Sequence, residues 1–192
     1  MKVTGLLLLI LILATVPLTS NARNISDVKL DEIIKVNETA PELILNGASL
    51  RKTYMIIDTY VGGLYLENKS TNEQEILERD EHRRMLFHVL LRKVSARKVA
   101  RALKDALVIN ISKEEQERLE PNIKQFLSMF KGKLKHGDEV NIDYIPGSGT
   151  QVTIGGKNQG IIPGKQFADA LLSVWVGENP VASSFKQDIL GN

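Results

Sequence analysis

The sequence predicts an α+β protein built on a mostly antiparallel sheet with helices packed on one face. Three observations carry that expectation. Residues 43–66 and 140–162 are rich in β-formers and contain stretches where apolar and polar residues alternate, as they do in strands with one buried face. Between them, two segments repeat apolar residues every three or four positions behind a serine suited to cap a helix. The resulting order, strands then helices then hairpins and further helices, lacks the alternation that builds a parallel sheet.

The chain opens with Lys2, an apolar run from Gly5 to Val16 and then Pro17, the layout of a secretory signal peptide. Ser20-Asn21-Ala22 supplies the small residues that cleavage after Ala22 requires, so residues 1–22 are expected to be removed. The run falls short of the about 20 residues that span a bilayer. The processed protein is therefore expected to carry no stable membrane span and to work after export, in a periplasm or outside the cell. Residues 23–40 are polar, with a short apolar pattern at Val28, Leu30, Ile33 and Ile34, and read as a flexible leader ending in an edge strand.

The domain itself is expected over residues 41–192. Leu43-Ile44-Leu45 runs into the turn dipeptide Asn46-Gly47, and the β-rich stretch from Leu50 to Leu66 is interrupted by Gly62-Gly63, which favours a bulge or bend. Thr71-Asn72-Glu73-Gln74 reads as a capping box for a short helix, and Arg84 to Leu91 as a strand. Ser95 precedes a helix with Val99, Leu103 and Leu107 on one face. Ser112-Lys113-Glu114-Glu115 is a second capping box, opening a helix with Leu119, Ile123, Phe126, Leu127 and Phe130 inward and Pro121 as a kink or restart. Strands at 140–144, 152–154 and 160–162 follow, joined at Pro146-Gly147-Ser148-Gly149 and Gly155-Gly156. Pro163 then begins an amphipathic helix bearing Phe167, Leu171, Leu172, Trp175 and Val176, and Val181 to Leu190 forms a last short helix.

Composition narrows the chemistry. Without residues 1–22 the chain has 192 − 22 = 170 residues, enough for one domain, and loss of Lys2 lowers the formal charge from +2 to +1. Near-neutral, interspersed charge argues against nucleic acid as a partner. The absence of Cys excludes disulfides, thiol catalysis and thiolate metal sites. His82, His88 and His136 stand apart with no ligand-pair spacing, so no metal and no cofactor are expected. His88 shares strand parity with Leu86 and Leu90 and reads as a histidine bonded at a sheet rim. No GxSxG elbow or P-loop occurs, and the glycine-rich stretches are turns. Asn24, Asn37, Asn68 and Asn110 begin Asn-x-Ser/Thr triplets, acceptors only in a eukaryotic secretory pathway. Arg51 and Tyr60 are more informative, being polar groups set in apolar β-forming sequence. A guanidinium beside an apolar cleft can hold a carboxylate through two parallel bonds, with a Tyr hydroxyl adding another. The alternative is an exposed Arg and a half-buried core Tyr.

Four stretches share a further likeness: Leu45-Asn46-Gly47-Ala48-Ser49-Leu50-Arg51, Tyr60-Val61-Gly62-Gly63-Leu64-Tyr65-Leu66, Asp143-Tyr144-Ile145-Pro146-Gly147-Ser148-Gly149-Thr150, and the last long helix with Gly164-Lys165-Gln166-Phe167-Ala168 and Val174-Trp175-Val176-Gly177. In this order they resemble the chalcone isomerase-like family, particularly its exported bacterial branch. The resemblance implies an open-faced β-sandwich with a ligand cleft between sheet and helices. Plant chalcone isomerases use an Arg that Arg51 matches. Tyr60 stands where they carry a Thr, which is the pattern of the fatty-acid-binding relatives. The isomerase Tyr position falls on Val94 or Ser95, its Asn on Ala102, and its last polar site near Val174. Only the Arg remains, and too few groups are left to hold and polarise an enone.

The expected function is therefore binding of a small amphipathic ligand, a fatty acid or a phenolic, with Arg51 and Tyr60 at its head and Val99, Leu103, Phe167 and Leu171 along its tail. An intramolecular lyase or isomerase of the chalcone isomerase type, using Arg51, is the first alternative. A structural or partner-binding protein whose cleft is filled by its own side chains is the second.

Overall fold

The computed structural model describes residues 22–191, so the signal-peptide expectation lies outside the described residues up to Ala22. In chain order the elements are β1 (Ala22–Ile25), β2 (Val28–Asp31), β3 (Ile33–Lys35), β4 (Glu42–Thr53), β5 (Ile57–Leu66), α1 (Glu73–Glu78), β6 (Arg83–Val89), β7 (Lys93–Ser95), α2 (Ala96–Val108), α3 (Lys113–Met129), β8 (Lys133–Lys135), β9 (Glu139–Ile145), β10 (Gly149–Ile154), β11 (Lys157–Ile162), α4 (Lys165–Val176) and α5 (Ser183–Leu190). Seven strands form one sheet in the order β11-β10-β9-β6-β5-β4-β3, with every neighbouring pair antiparallel. β1–β2 and β7–β8 are separate antiparallel ribbons.

Strand parity divides the sheet into two apolar faces. Leu64, Leu66, Met85, Phe87, Val89, Val140, Ile142 and Val152 face the helices, meeting Ile123 and Phe126 of α3, Trp175 of α4 and Phe185 of α5. The opposite face carries Leu43, Leu45, Val61, Tyr65 and Leu86. The first ribbon covers part of that face. Val28 and Leu30 are buried against it, and the Tyr65 hydroxyl donates to the Asp31 carbonyl over 2.9 Å. The stretch read as a flexible leader is thus a hairpin followed by the edge strand β3. Its Asn and Lys residues face outward while Val28 and Leu30 alternate inward, too short a pattern to read as a hairpin in isolation.

Several local expectations shift for identifiable reasons. Asn46-Gly47 does not turn the chain but sits at a bulge inside β4. The Asn46 amide donates to the carbonyls of Ser70 and Ile189, and its oxygen accepts the Ser70 N–H, fixing the ends of two loops. A Cβ on Gly47 would stand 2.2 Å from the Asp188 carbonyl oxygen, so glycine there admits α5 rather than a turn. Gly62 and Gly63 likewise continue β5 without a bulge, with the Phe185 ring occupying the space a Gly62 side chain would need. Asn72, not Thr71, caps α1, accepting from the N–H groups of Gln74 and Glu75. The Ser112–Glu115 capping box forms as expected, and α3 continues through Pro121. Ser95 stands at the start of α2 but its hydroxyl makes no capping bond.

Candidate ligand-binding cleft

β4 and β5 are joined at one end of the sheet, and Arg51 and Tyr60 are direct cross-strand partners there. The register shifts between Arg51 and Lys52, a bulge that re-aims the side chains beside it. Thr59 donates its hydroxyl to the Arg51 carbonyl over 2.6 Å, tying the two strands at this point. One Arg51 nitrogen donates to the Val181 carbonyl over 3.1 Å. Among the described residues no carboxylate lies within ion-pair distance of Arg51, so most of its donor fork has no protein partner.

Arg51 and Tyr60 border a cavity of about 250 Å³. Thr53 and Thr59 join them as its other polar wall residues from the hairpin. Phe87 and Val89 floor it from β6, Val99, Ala102 and Leu103 of α2 roof it, and Val94 and Leu134 close one side from the β7–β8 ribbon. The cleft is therefore not filled by its own side chains. The polar groups gather at one end and the rest of the lining is aliphatic or aromatic, the division an amphipathic guest requires.

The Trp175 indole N–H donates to the Tyr60 hydroxyl over 3.2 Å. Edge-on aromatic contacts hold the Tyr60 ring: Phe87 at 5.2 Å and Phe185 at 5.7 Å between centroids. Burial pushes the Tyr60 phenol up to about 12, against the smaller opposing pull of the Trp175 N–H and the Arg51 charge. The hydroxyl is therefore protonated at neutral pH and available to donate to an anionic head while accepting from Trp175.

Of the residues expected along the tail, Val99 and Leu103 line the cavity, but Phe167 and Leu171 do not. Phe167 packs on Phe126 with centroids 5.8 Å apart, and Leu171 is fully buried beneath the sheet. α4 runs through the core for most of its length and only its last turn reaches the cleft. Trp175, on the same face as Phe167 and Leu171 at the next step of four, is the residue that arrives. That spacing was present in the sequence. Thr53 and Thr59 carried no such signal, since threonine is ordinary in a strand.

Of the positions that the resemblance equates with isomerase polar groups, only Ser95 is polar, and it does not line the cavity. Val94 and Ala102 are cavity walls, and Val174 is buried away from the cavity. None of the three histidines lines it: the His82 Nδ1 lies 2.8 Å from Glu67, and His88, on the opposite face of the sheet, lies 3.7 Å from Glu139.

Comparison with known proteins agrees with this architecture. Residues 22–191 match the family model described as chalcone isomerase-like. Among solved structures, the chain is similar to a fatty-acid binding protein of Arabidopsis thaliana, with a TM-score of 0.71 and 18% sequence identity over 88% of this chain and 96% of that one. No curated protein matches the sequence.

Proposed function

Since the chain belongs to the chalcone isomerase-like family, we propose that it is a non-catalytic member that works after export and binds a fatty acid or similar amphipathic anion in the cleft. The observation that carries this reading is the Arg51 fork, facing a mostly apolar cavity with no acid among the described residues to neutralise it. The guanidinium and the Tyr60 hydroxyl engage the carboxylate, and the tail lies between Phe87 and the α2 residues Val99 and Leu103. The neighbour from Arabidopsis thaliana, a fatty-acid binding protein by its own description, supports the same choice of ligand.

Magnitudes are consistent with useful binding. At about 30 Å³ per water-sized group the cavity accommodates roughly eight such groups. Roughly 0.8 kcal/mol per buried methylene and about 1.5–3 kcal/mol for a hydrogen bond to a charged group together exceed the lower estimates of the cost of association.

Trp175 is the only tryptophan in the chain and stands at the cavity wall, so its fluorescence reports occupancy directly. Titration with octanoate is expected to change the emission saturably, and octanol to do so far more weakly. Equal responses to the acid and the alcohol would remove Arg51 from the account. Consumption of a chalcone that disappears in Arg51→Ala would replace binding with the isomerase reading.

A further inference from the structure

The hairpin that carries Arg51 and Tyr60 ends in a feature that ligand binding does not use. Tyr54, Met55 and Ile56 at its tip are 84%, 88% and 81% exposed, and Ile57 is 44% exposed. Four consecutive large apolar side chains thus stand in water on one projecting turn, where scattered exposed apolar residues are the norm. The backbone sharpens the point. Tyr54 and Met55 both have positive φ, 53° and 61°, a conformation that Asn-Gly adopts with less strain than an aromatic residue followed by methionine.

The same end of the molecule is strongly basic. Residues 91–105 contain Arg92, Lys93, Arg97, Lys98, Arg101 and Lys104 against one acid, Asp105, and residues 131–138 contain Lys131, Lys133 and Lys135 against Asp138. Their net charge is 9 − 2 = +7, while the whole chain carries +2, so the remaining residues sum to 2 − 7 = −5. The ribbon concentrates this charge, since Lys93 pairs across from Lys135 and Ser95 from Lys133. Apart from Lys104 beside Asp105, none of these side chains forms an ion pair among the described residues.

Basic patch and apolar tip border one opening. Thr53 and Thr59, which flank the tip, line the same cavity as Val94, Ala102 and Leu134, which lie among the basic residues. The backbone places them at one end of the sheet: Leu90 donates to the Thr59 carbonyl, and Val89 to Asp138. From this juxtaposition we propose that the cleft end of the protein docks on an anionic lipid bilayer, with Tyr54, Met55 and Ile56 in the interfacial region and the α2 and β7–β8 cations on the headgroups. Charge complementarity selects this occupant. An apolar tip alone would suit a second copy of the chain, but a strongly basic surface repels its own copy and attracts an anionic one. A cavity mouth held against the bilayer offers an amphipathic guest a path that avoids bulk water, although docking does not depend on the cleft being a fatty-acid site.

Co-sedimentation of the exported protein with phosphatidylglycerol-containing vesicles and with neutral phosphatidylcholine vesicles tests it. Two double variants are compared with the wild type: Tyr54→Asn with Met55→Gly, which keeps the turn, and Lys133→Gln with Lys135→Gln, which keeps the ribbon. Every variant shares the same N-terminal segment, so no difference between them comes from it, and thermal melts establish that each is folded. Preferential binding to anionic vesicles is expected, weakened by salt. At roughly fivefold per basic residue near such a surface, the lysine variant is expected to lose about 25-fold, and the tip variant at least tenfold. Equal partitioning to both vesicle types, or variants that bind as well as wild type, would overturn the inference, as would a dimer in solution that the tip variant dissociates. Octanoate titration of the tip variant, read at Trp175, separates this failure from failure of the ligand reading.

Discussion

At Arg51 a single side chain links β4 to the loop before α5 and faces the open cavity. Its bond to the Val181 carbonyl orients the guanidinium without consuming the fork, and no carboxylate among the described residues competes for the rest. Arg51→Ala is accordingly expected to weaken octanoate binding by roughly 30-fold or more, corresponding to one or two charge-assisted bonds of about 2–3 kcal/mol in total, while costing little stability because the side chain is half-buried. Arg51→Lys keeps the charge but loses the planar pair of donors, and is expected to fall between the two. An octanoate titration of both variants checks the order. Tyr60 carries a separate signature. Its phenol rises to about 12 in the folded protein from an unfolded value near 10, so the folded state holds a proton the unfolded state has lost. Stability from this group is complete below pH 10 and falls as the pH rises from about 10 to 12. Denaturant titrations of the wild type and Tyr60→Phe across that window are expected to show a shallower decline in the variant.

Among the elements, α5 packs closely on β4. Gly47 lies against the Asp188 and Ile189 carbonyls, so Gly47→Ala forces backbone apart rather than a flexible side chain. A loss of about 3 kcal/mol is expected, at the upper end for overpacking, visible as a fall in Tm of roughly 6–12 °C for a chain of this size. How legible the elements were follows from what each signal encodes. The period-four face of α2 and the alternation in β9 survive because burial and local geometry ask for the same residues. Asn46-Gly47 misled because its preference for turns is local, while the contact that fixes it comes from Ile189, 143 positions away. Phe167 and Leu171 were placed on the cleft because one helical face can serve the core at one end and a cavity at the other. Periodicity reports the face but not the depth.

For the whole molecule, the sheet has two apolar faces and both must be covered. The helices cover one. On the other, Val28 and Leu30 of the β1–β2 hairpin are buried with Leu43, Leu45 and Val61. Leu30→Ala is therefore expected to cost about 2–5 kcal/mol, as for a core leucine, measured by urea unfolding; a change under 0.5 kcal/mol would return the segment to the status of a loose leader. At the far end of the sheet Arg84 grips the buried Asp143 with contacts of 2.5 and 3.0 Å, and Arg83 joins β6 to Asp169 of α4 and to the Ile76 carbonyl of α1. Charges are thus paired where the fold is closed. At the open end Arg51 and the lysines of the β7–β8 ribbon form no ion pair among the described residues, and that asymmetry is what the proposed function draws on.

Native mass spectrometry of the purified protein, beside Arg51→Ala prepared identically, is the most direct test of binding in the cleft. The wild type is expected to carry an acidic amphipathic guest, or to take up added octanoate one to one, and the folded variant to do neither. A wild type that stays empty with octanoate in excess, or a variant that retains the same guest, would contradict it.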